Sequence, residues 1–433
     1  MESAFRSADG AADSITSSGG APDPLIRIVP IRRRLHQTRN SHMATSSDNL
    51  PPRGRTLRIA MNGVTGRMGY RQHLLRSILP LRETGLLLED GTRVDVEPIL
   101  VGRNADKIAD LAAAHSIASW TTDTASVIAD PTVDVYFDAQ VTSRRMEALS
   151  SAIKAGKHVY TEKPTAETLT EAIELARMAE NAGVVAGVVH DKLYLPGLVK
   201  LRRLVDEGFF GRILSMRGEF GYWVFEGDGQ PAQRPSWNYR AEDGGGIAVD
   251  MFCHWNYVME GLLGTVQTVT ARTATHIPTR WDEQGNAYAA TADDAAYGIF
   301  EIEGGVIAQI NSSWAVRVHR DELVEFQIDG THGSAVAGLR GCVAQQRAHT
   351  PKPVWNPDLP VTEKFRDQWL EVPANADLDN GFKLQWEEYL RDVVAGRSHR
   401  FGLLSAARGV QLAELGLRSS AEGRRLDVPE IVL

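Results

Sequence analysis

The segment Thr56-Leu57-Arg58-Ile59-Ala60-Met61-Asn62-Gly63-Val64-Thr65-Gly66-Arg67-Met68-Gly69 decides how the rest of the chain is read. Thr56 to Met61 is an apolar strand, and a helix follows from about Tyr70 to Leu79. Between them lie three glycines spaced G-x-x-G-x-x-G. Glycine permits a sharp turn and lets backbone approach a pyrophosphate, and the helix amino terminus then offers unpaired N–H groups to the phosphates. The spacing is not G-x-G-x-x-G, and a tight strand-to-helix turn without a ligand would use the same glycines. Its place after the first strand favours a dinucleotide cradle of Gly63, Thr65, Gly66, Arg67, Met68 and Gly69.

Outward from this turn, strands and helices alternate. Strands are expected at Val94–Val101, Val133–Ala139, His158–Thr161 and Val184–Val189, and helices at Asn104–Ala114, Arg144–Ala155 and Leu169–Ala182. That alternation means a parallel sheet covered on both faces. After a helix at Gly197–Glu207 the pattern changes. Strands are expected at Ile213–Phe220, Val266–Thr273, Ala295–Ile302, Val306–Ser313, Glu322–Ile328 and Gly333–Gly338, in an antiparallel arrangement. A helix from Gly244 to Gly261 interrupts them, and helices at Gly381–Ala395 and Ser405–Ala421 end the chain.

With 433 residues, two domains of roughly 100–250 residues each are expected. A content of 43% apolar and 24% charged residues is that of a soluble globular protein. The net charge of −8 argues against nucleic acid as the main partner. No apolar run approaches the ~20 residues of a membrane span. Cys253 and Cys342 are the two cysteines, with no metal-site spacing, so no metal and no disulfide framework is expected. Residues 1–55 read as a disordered extension, rich in Ser, Gly, Ala and Asp with the basic run Arg32-Arg33-Arg34. Acidic residues there, such as Glu2 and Asp9, speak against a transit peptide, and Met43 is a candidate start of translation.

Three features carry chemistry. The second strand ends Val101-Gly102-Arg103-Asn104, without the acid that usually binds a ribose 2′-hydroxyl. Arg103 instead suits a 2′-phosphate, which favours NADP over NAD; the bland alternative is an arginine stacked on adenine or facing water. Lys163, in Glu162-Lys163-Pro164, falls at the carboxyl edge of the parallel sheet, where it could stabilise a developing alkoxide. Asp250 and His254, four residues apart behind Gly244-Gly245-Gly246, share one helical face. A carboxylate beside an imidazole can move a proton near neutral pH, although such pairs often merely decorate a helix.

In order, the glycine turn, Ala155-Gly156-Lys157-His158-Val159 leading into Glu162-Lys163-Pro164, and the glycine triplet with Asp250 and His254 resemble the Gfo/Idh/MocA family. This is the family of glucose–fructose oxidoreductase and inositol dehydrogenase, and the resemblance runs from about Thr56 to the end. It implies an α/β fold: an N-terminal Rossmann domain over 56–190, then a substrate and oligomerisation domain over 191–380 with a large, mostly antiparallel open sheet. The helices of 381–433 would return to the first domain. It also implies catalytic roles for Lys163, Asp250 and His254. Departures from the family pattern are Gln140-Val141-Thr142 in place of Thr-Pro-Asn, Arg145 where histidine is common, and Phe252 where glycine is usual. Tyr257 or Val258 stands where a further polar residue often lies one turn beyond the histidine. The glycine turn also resembles dihydrodipicolinate reductases, which are shorter and lack the later motifs.

The expected reaction is hydride transfer between nicotinamide and a secondary hydroxyl or ketone of a sugar, glycoside or inositol. His254 would exchange the hydroxyl proton and Lys163 would hold the oxygen, or the two would trade roles. Asp250 would orient the histidine or bind a neighbouring hydroxyl. Besides the cradle, Arg103, Asn104, Thr142, Glu162 and Lys163 are assigned to NAD(P). His190, Lys192, Tyr194, Trp237, Arg240 and His254 are assigned to substrate, with Asp191, Asn238, Trp314 and Arg317 further candidates. Alternatives are a redox-assisted glycosidase or lyase that retains its cofactor, and a non-catalytic nicotinamide-binding protein. A homodimer or homotetramer in the cytoplasm, without membrane or nucleic-acid partners, completes the expectation.

Overall fold

The computed structural model describes residues 53–224, 231–232, 234–376, 378 and 380–433. The expectations for the amino-terminal extension and for Met43 lie outside the described residues, apart from 53–55, which open the first strand.

The first sheet holds β1 (Arg53–Asn62), β2 (Leu86–Leu87), β3 (Arg93–Val101), β4 (Ser119–Thr121), β5 (Val135–Asp138), β6 (His158–Thr161) and β7 (Ala186–Val188). Its order is β2-β3-β1-β5-β6-β7, with β4 also on β3, and all pairs except β2–β3 are parallel. The chain therefore reverses its direction of winding at β1. A crevice opens there, beyond the carboxyl ends of β1 and β5, where open α/β sheets bind ligands. The helices of this half are a π-helical segment Gly69–Ile78, then α1 (Leu79–Thr84), α2 (Ala105–Ala114), α3 (Thr124–Ala129), α4 (Arg145–Lys154) and α5 (Leu169–Ala182). A helix was expected after the glycine turn. Its wide winding was not: the Leu79 N–H reaches back five residues, to the Leu74 carbonyl. Asn104 caps α2, and Thr168 with Glu171 forms a capping box on α5, so both helix starts are set by local polar chemistry.

The second sheet, preceded by α6 (Pro196–Asp206), contains β8 (Ile213–Gly221), β9 (Val266–Ala274), β12 (Ala295–Ile302), β13 (Val306–Ser313), β14 (Val324–Gly330), β15 (Gly333–Ala337), β16 (Cys342–Gln346), β17 (Leu370–Glu371) and β18 (Leu426–Asp427). A separate hairpin is made by β10 (Thr279–Trp281) and β11 (Ala287–Ala289). The order of the large sheet is β17-β16-β15-β14-β8-β13-β12-β9-β18. It is antiparallel except for β8 and β13, which run parallel because β8 inserts between β13 and β14. The two-residue strands β17 and β18 are too short to show a period-2 pattern, and the sequence reading missed them together with the five-residue β16.

Helix α7 (Ile247–Leu262) lies on one face of this sheet, and the chain ends with α8 (Gly381–Ala395) and α9 (Leu403–Glu422). Trp386, Tyr389, Leu390 and Val393 of α8 join the core of the first sheet beside Phe137 and Tyr160. Helix α9 spans two cores: Leu403, Ala407 and Val410 pack with α5, and Leu412, Ala413 and Leu415 join the core of the second sheet.

Two fully buried rings and several glycines set the position of α7. Trp255 donates from Nε1 to Ser312 Oγ at 2.8 Å and pins the helix to β13. On the opposite side a Cβ at Gly409 would lie 3.2 Å from the Cβ of Cys253, and one at Gly416 would lie 2.4 Å from a Phe252 ring carbon. The bulky Phe252 is thus accommodated by missing side chains on α9. Gly416→Val should destabilise the fold by about 1–3 kcal/mol, since a close-packed interior has no room for it. A urea midpoint equal to that of the wild type would contradict this packing.

Candidate active site

The cofactor cradle begins where β1 ends. Gly63 has φ of 90°, and a Cβ there would fall 2.5 Å from the Ala139 carbonyl carbon, so β1 and the segment after β5 abut. A Cβ at Gly69 would strike the Gly63 carbonyl oxygen at 2.4 Å. These two glycines close the turn, whereas Thr65, Gly66 and Arg67 face outward and are exposed. The Gly66 N–H is bonded to Gly63 O at 3.0 Å, and at Gly66 the outward surface is bare backbone. A bare turn at the start of a helix, above the switch point of a parallel sheet, fits a pyrophosphate. Arg103 is exposed after β3, and among the described residues no hydrogen bond or ion pair engages it. Asn104 accepts the Lys107 N–H at 2.9 Å, so its carbonyl oxygen is committed to capping α2. Thr142 opens a short 3-10 turn beyond β5.

Lys163 follows β6, and its segment is held from both sides. Glu162 accepts from His73 Nε2 at 2.8 Å, and His73 Nδ1 accepts from Trp386 Nε1 at 3.0 Å. An indole N–H can only donate, so the His73 proton lies on Nε2. Burial acts to raise the Glu162 pKa, but the His73 hydrogen bond together with the nearby charges of Arg145 and Lys163 outweighs it, and the net direction is down. On the other side the buried Arg145 bonds the Pro164 carbonyl, Gln140 O at 2.7 Å and Asp138 Oδ1 at 3.4 Å. Arginine at this departure from the family pattern thus ties the end of β5 to the lysine segment.

The lysine then crosses to the second half of the chain. Its Nζ sits 2.7 Å from Asp250 Oδ1 and 3.3 Å from the Asp250 carbonyl. The other Asp250 oxygen receives Arg234 Nη1 at 3.0 Å. Burial opposes charge on Lys163, yet Asp250 outweighs it and raises the lysine pKa. Burial likewise opposes charge on Asp250, and Lys163 and Arg234 together hold its pKa far down. Arg234 also lies 4.3 Å over the Trp314 ring and donates to Tyr222 and Asn238. An arginine remote in sequence from the helix gave no signal by spacing, and the sequence reading missed it.

The start of α7 is shaped around Asp293. Its carboxylate accepts the Ala248 N–H at 2.7 Å, its carbonyl accepts the Ile247 N–H, and Gly246 (φ 123°) leaves room for it. Asp250 and His254 follow on this helix, but they are not bonded to each other. His254 Nδ1 is 2.6 Å from the Tyr257 hydroxyl, which donates to Asp191 Oδ1 at 3.2 Å. Burial, followed by the charges of Lys163, Lys192, His190 and Arg234, pushes the His254 pKa well below 6.5. The imidazole is thus bonded to Tyr257 and not to Asp250, which was expected either to orient it or to bind a neighbouring hydroxyl.

The residues assigned to substrate divide. Lys192 Nζ pairs with Asp191 Oδ2 at 3.4 Å and its charge reaches both Asp250 and His254. His190 is buried, stacked 4.0 Å from the Tyr257 ring, and so supports the site from behind. Tyr194 turns toward α8: its hydroxyl donates to Glu388 at 2.6 Å and accepts from Arg400 at 3.0 Å. Arg240 lies over the Tyr288 ring and 3.9 Å from Asp243, and Trp237 is half exposed. Trp314 is fully buried under Arg234, and Arg317 lies over Trp223. The Tyr194 hydroxyl is thus bonded within the fold, whereas among the described residues the buried His190 Nδ1 and Trp314 Nε1 have no hydrogen-bond partner.

Comparisons with known proteins agree on the lineage. Residues 57–190 match the model of the oxidoreductase family with an NAD-binding Rossmann fold, and residues 198–336 match the GFO/IDH/MocA C-terminal domain. The chain belongs to the Gfo/Idh/MocA oxidoreductases. Over 382 residues it is 77% identical to a D-xylose dehydrogenase of Paenarthrobacter nicotinovorans, covering 87% of this chain and 98% of that one. A 1,5-anhydro-D-fructose reductase of Ensifer adhaerens is 27% identical over 238 residues, 55% of this chain and 66% of that one. In fold it is similar to a levoglucosan dehydrogenase solved with NADH and L-sorbose, with a TM-score of 0.72 at 20% identity, covering 87% of this chain and all of that one. The chain is therefore an enzyme, an NAD-binding oxidoreductase of α/β fold. Among the described residues no helix is long and apolar enough to cross a membrane.

The depressed pKa of His254 has a measurable consequence. Between its folded value and the ordinary 6.5, the unfolded chain binds a proton that the folded imidazole refuses. Stability contributed by neutral His254 is therefore complete above 6.5 and lost as pH falls below it. Across about pH 5 to 6.5 the wild type should lose stability more steeply than His254→Gln, by up to ~1.4 kcal/mol per pH unit. Urea midpoints collected across that range check this, and parallel slopes would contradict it.

Proposed function

We propose that this enzyme is an NAD(P)-dependent sugar dehydrogenase that oxidises a ring hydroxyl of an aldose, with D-xylose as the first substrate to test. The observation that carries the reading is an ammonium held on Asp250 close to a neutral imidazole, in a chain 77% identical to a D-xylose dehydrogenase.

In oxidation, His254 accepts the hydroxyl proton through Nε2, which no hydrogen bond reaches among the described residues. Lys163, kept protonated by Asp250, donates to the same oxygen and offsets its developing negative charge. A lysine with a raised pKa is a poor base at neutral pH, which favours this assignment over the reverse. Asp250 aims the ammonium, and Arg234 occupies the second carboxylate oxygen so that Lys163 keeps the first. Lys192, whose charge reaches both Asp250 and His254, is a further group of the assigned set able to meet a sugar hydroxyl. A nicotinamide seated along the glycine turn would supply the hydride acceptor. Glu162 and Thr142 border its place, and Arg103 is free for a 2′-phosphate, which supports NADP over NAD.

On the nine-stranded sheet Tyr297, Ile299 and Ile307 lie exposed on one face, which supports a second copy covering it in a homodimer or homotetramer. A reaction drawing on soluble nicotinamide suits the cytoplasm.

Hydride transfer to NADP from D-xylose, followed in single turnover, should fall by about 10²-fold or more in both His254→Ala and Lys163→Met. Near-wild-type rates in both would sink the assignment, and failure of NADPH to accumulate would sink the dehydrogenase reading. Arg103→Ala should lower kcat/KM with NADP by about 10–100-fold while leaving NAD nearly unchanged, as expected for a charged hydrogen bond of about 1.5–3 kcal/mol. Equal losses with both nicotinamides would contradict 2′-phosphate recognition.

A further inference from the structure

We propose that Tyr257 and Asp191 are positioning residues that fix the proton of His254 on Nδ1 and leave Nε2 as the proton acceptor. The inference rests on His254 exchanging the substrate proton in the reading above, and it deepens that reading. It adds a tyrosine between imidazole and carboxylate.

The Tyr257 oxygen has three polar neighbours: His254 Nδ1 at 2.6 Å, Asp191 Oδ1 at 3.2 Å and the Lys192 N–H at 3.4 Å. The Lys192 N–H can only donate, and the hydroxyl itself has a single proton to give. If Tyr257 gave that proton to His254, its oxygen lone pairs would face the Asp191 carboxylate, and an acceptor–acceptor contact would result. If Tyr257 gives it to Asp191, the histidine must supply the proton of the remaining contact from Nδ1. Only the second arrangement makes every contact a hydrogen bond. Asp191 Oδ1 is 3.9 Å from Nδ1, too long for a direct bond, so the hydroxyl is needed as the bridge.

The surroundings hold the bridge in place. The Tyr257 ring is stacked on the buried His190, whose backbone N–H donates to Gln385 at 2.8 Å. Asp191 has its second oxygen on Lys192 Nζ. Burial raises the Tyr257 pKa well above 10, so the phenol stays protonated.

The step is balanced. The C–H hydride would leave the substrate for an oxidised nicotinamide as the hydroxyl proton moves to His254 Nε2 and the carbon–oxygen double bond forms. The imidazolium then carries protons on both nitrogens. Its Nδ1–H already points at Tyr257, whose own proton remains on the bond to Asp191, so the carboxylate offsets the new charge through one hydroxyl. The cations Lys163, Lys192 and Arg234 oppose that charge, as does His190 when protonated, and Asp191 and Asp250 are the anions that face it.

The test uses the full chain labelled with 15N-histidine, with His254→Asn to identify the residue's signals. Long-range proton–nitrogen spectra of the wild type should show the proton on Nδ1 and a bare Nε2, and Tyr257→Phe should shift His254 toward the Nε2–H form. Tyr257→Phe keeps the ring that stacks on His190, and unchanged NADP binding will report an intact fold. With NADP and D-xylose, Tyr257→Phe and Asp191→Asn should each lower kcat by about 10–100-fold with little change in KM. The double variant should lose little more than either single one. Uncoupling the carboxylate lowers the imidazole pKa further, so the acid limb of kcat/KM should move to lower pH, a shift that a packing role would not produce. A wild-type proton on Nε2, or a Tyr257→Phe enzyme with unchanged tautomer and rate, would overturn the proposal. If D-xylose is not oxidised but the tautomer and its response are as stated, the substrate reading fails and the positioning role stands.

Discussion

The ion pair between Lys163 and Asp250 is the constraint on which the site depends. The lysine follows β6 of the parallel sheet and the aspartate lies on α7 of the second half, so one 2.7 Å contact joins the two parts of the molecule. Both side chains are largely covered, 17% and 24% exposed, and a pair so placed contributes little net stability after desolvation. Its effect is on protonation. The carboxylate keeps the lysine charged, and the lysine, with Lys192 and Arg234, helps to keep His254 neutral. Lys163 and His254 thus differ in charge state although the charge of one acts on the other.

That pairing requires α7 to be held firmly. Trp255 anchors it to β13, Asp293 satisfies its first N–H groups, and Gly409 and Gly416 let α9 approach from the other side. Helix α9 in turn packs against α5, so the second sheet and the parallel sheet share one helix. The lysine segment is held with equal care, by Glu162–His73–Trp386 on one side and Arg145 on the other. Lys163 and His254, the two groups proposed to act on substrate, are therefore carried on packed elements, as directed proton and hydride transfer would demand.

The regular elements were legible because their signals are local. The β6 strand, α5, β12, β13 and α8 carry clear periodicity or caps within their own residues, and they lie where the sequence places them. The two-residue strands β17 and β18 exist only through partners distant in the chain, and no period-2 pattern could announce them. The same distinction runs through the site. The glycine turn and Glu162-Lys163-Pro164 are contiguous, and each was visible alone. Arg234 is sixteen residues from Asp250 and His73 is eighty-nine from Glu162, so nothing local marks either contact. Tyr194 and His190 were read as substrate ligands from their position after a strand. Only the tertiary packing shows that the Tyr194 hydroxyl is bonded to Glu388 and that one face of the His190 ring is stacked on Tyr257.

The order of the longer strands and helices, the glycine turn, and the shared helical face of Asp250 and His254 were determined by the sequence alone, because each depends on residues that are neighbours in the chain or one helical turn apart. The tertiary structure decided the partners: which carboxylate meets Lys163, which hydroxyl meets His254, and which side chains are spent on packing. These choices depend on burial and on distances between elements far apart in sequence. A hydrogen bond or a depressed pKa arises only when folding removes water and brings those elements together.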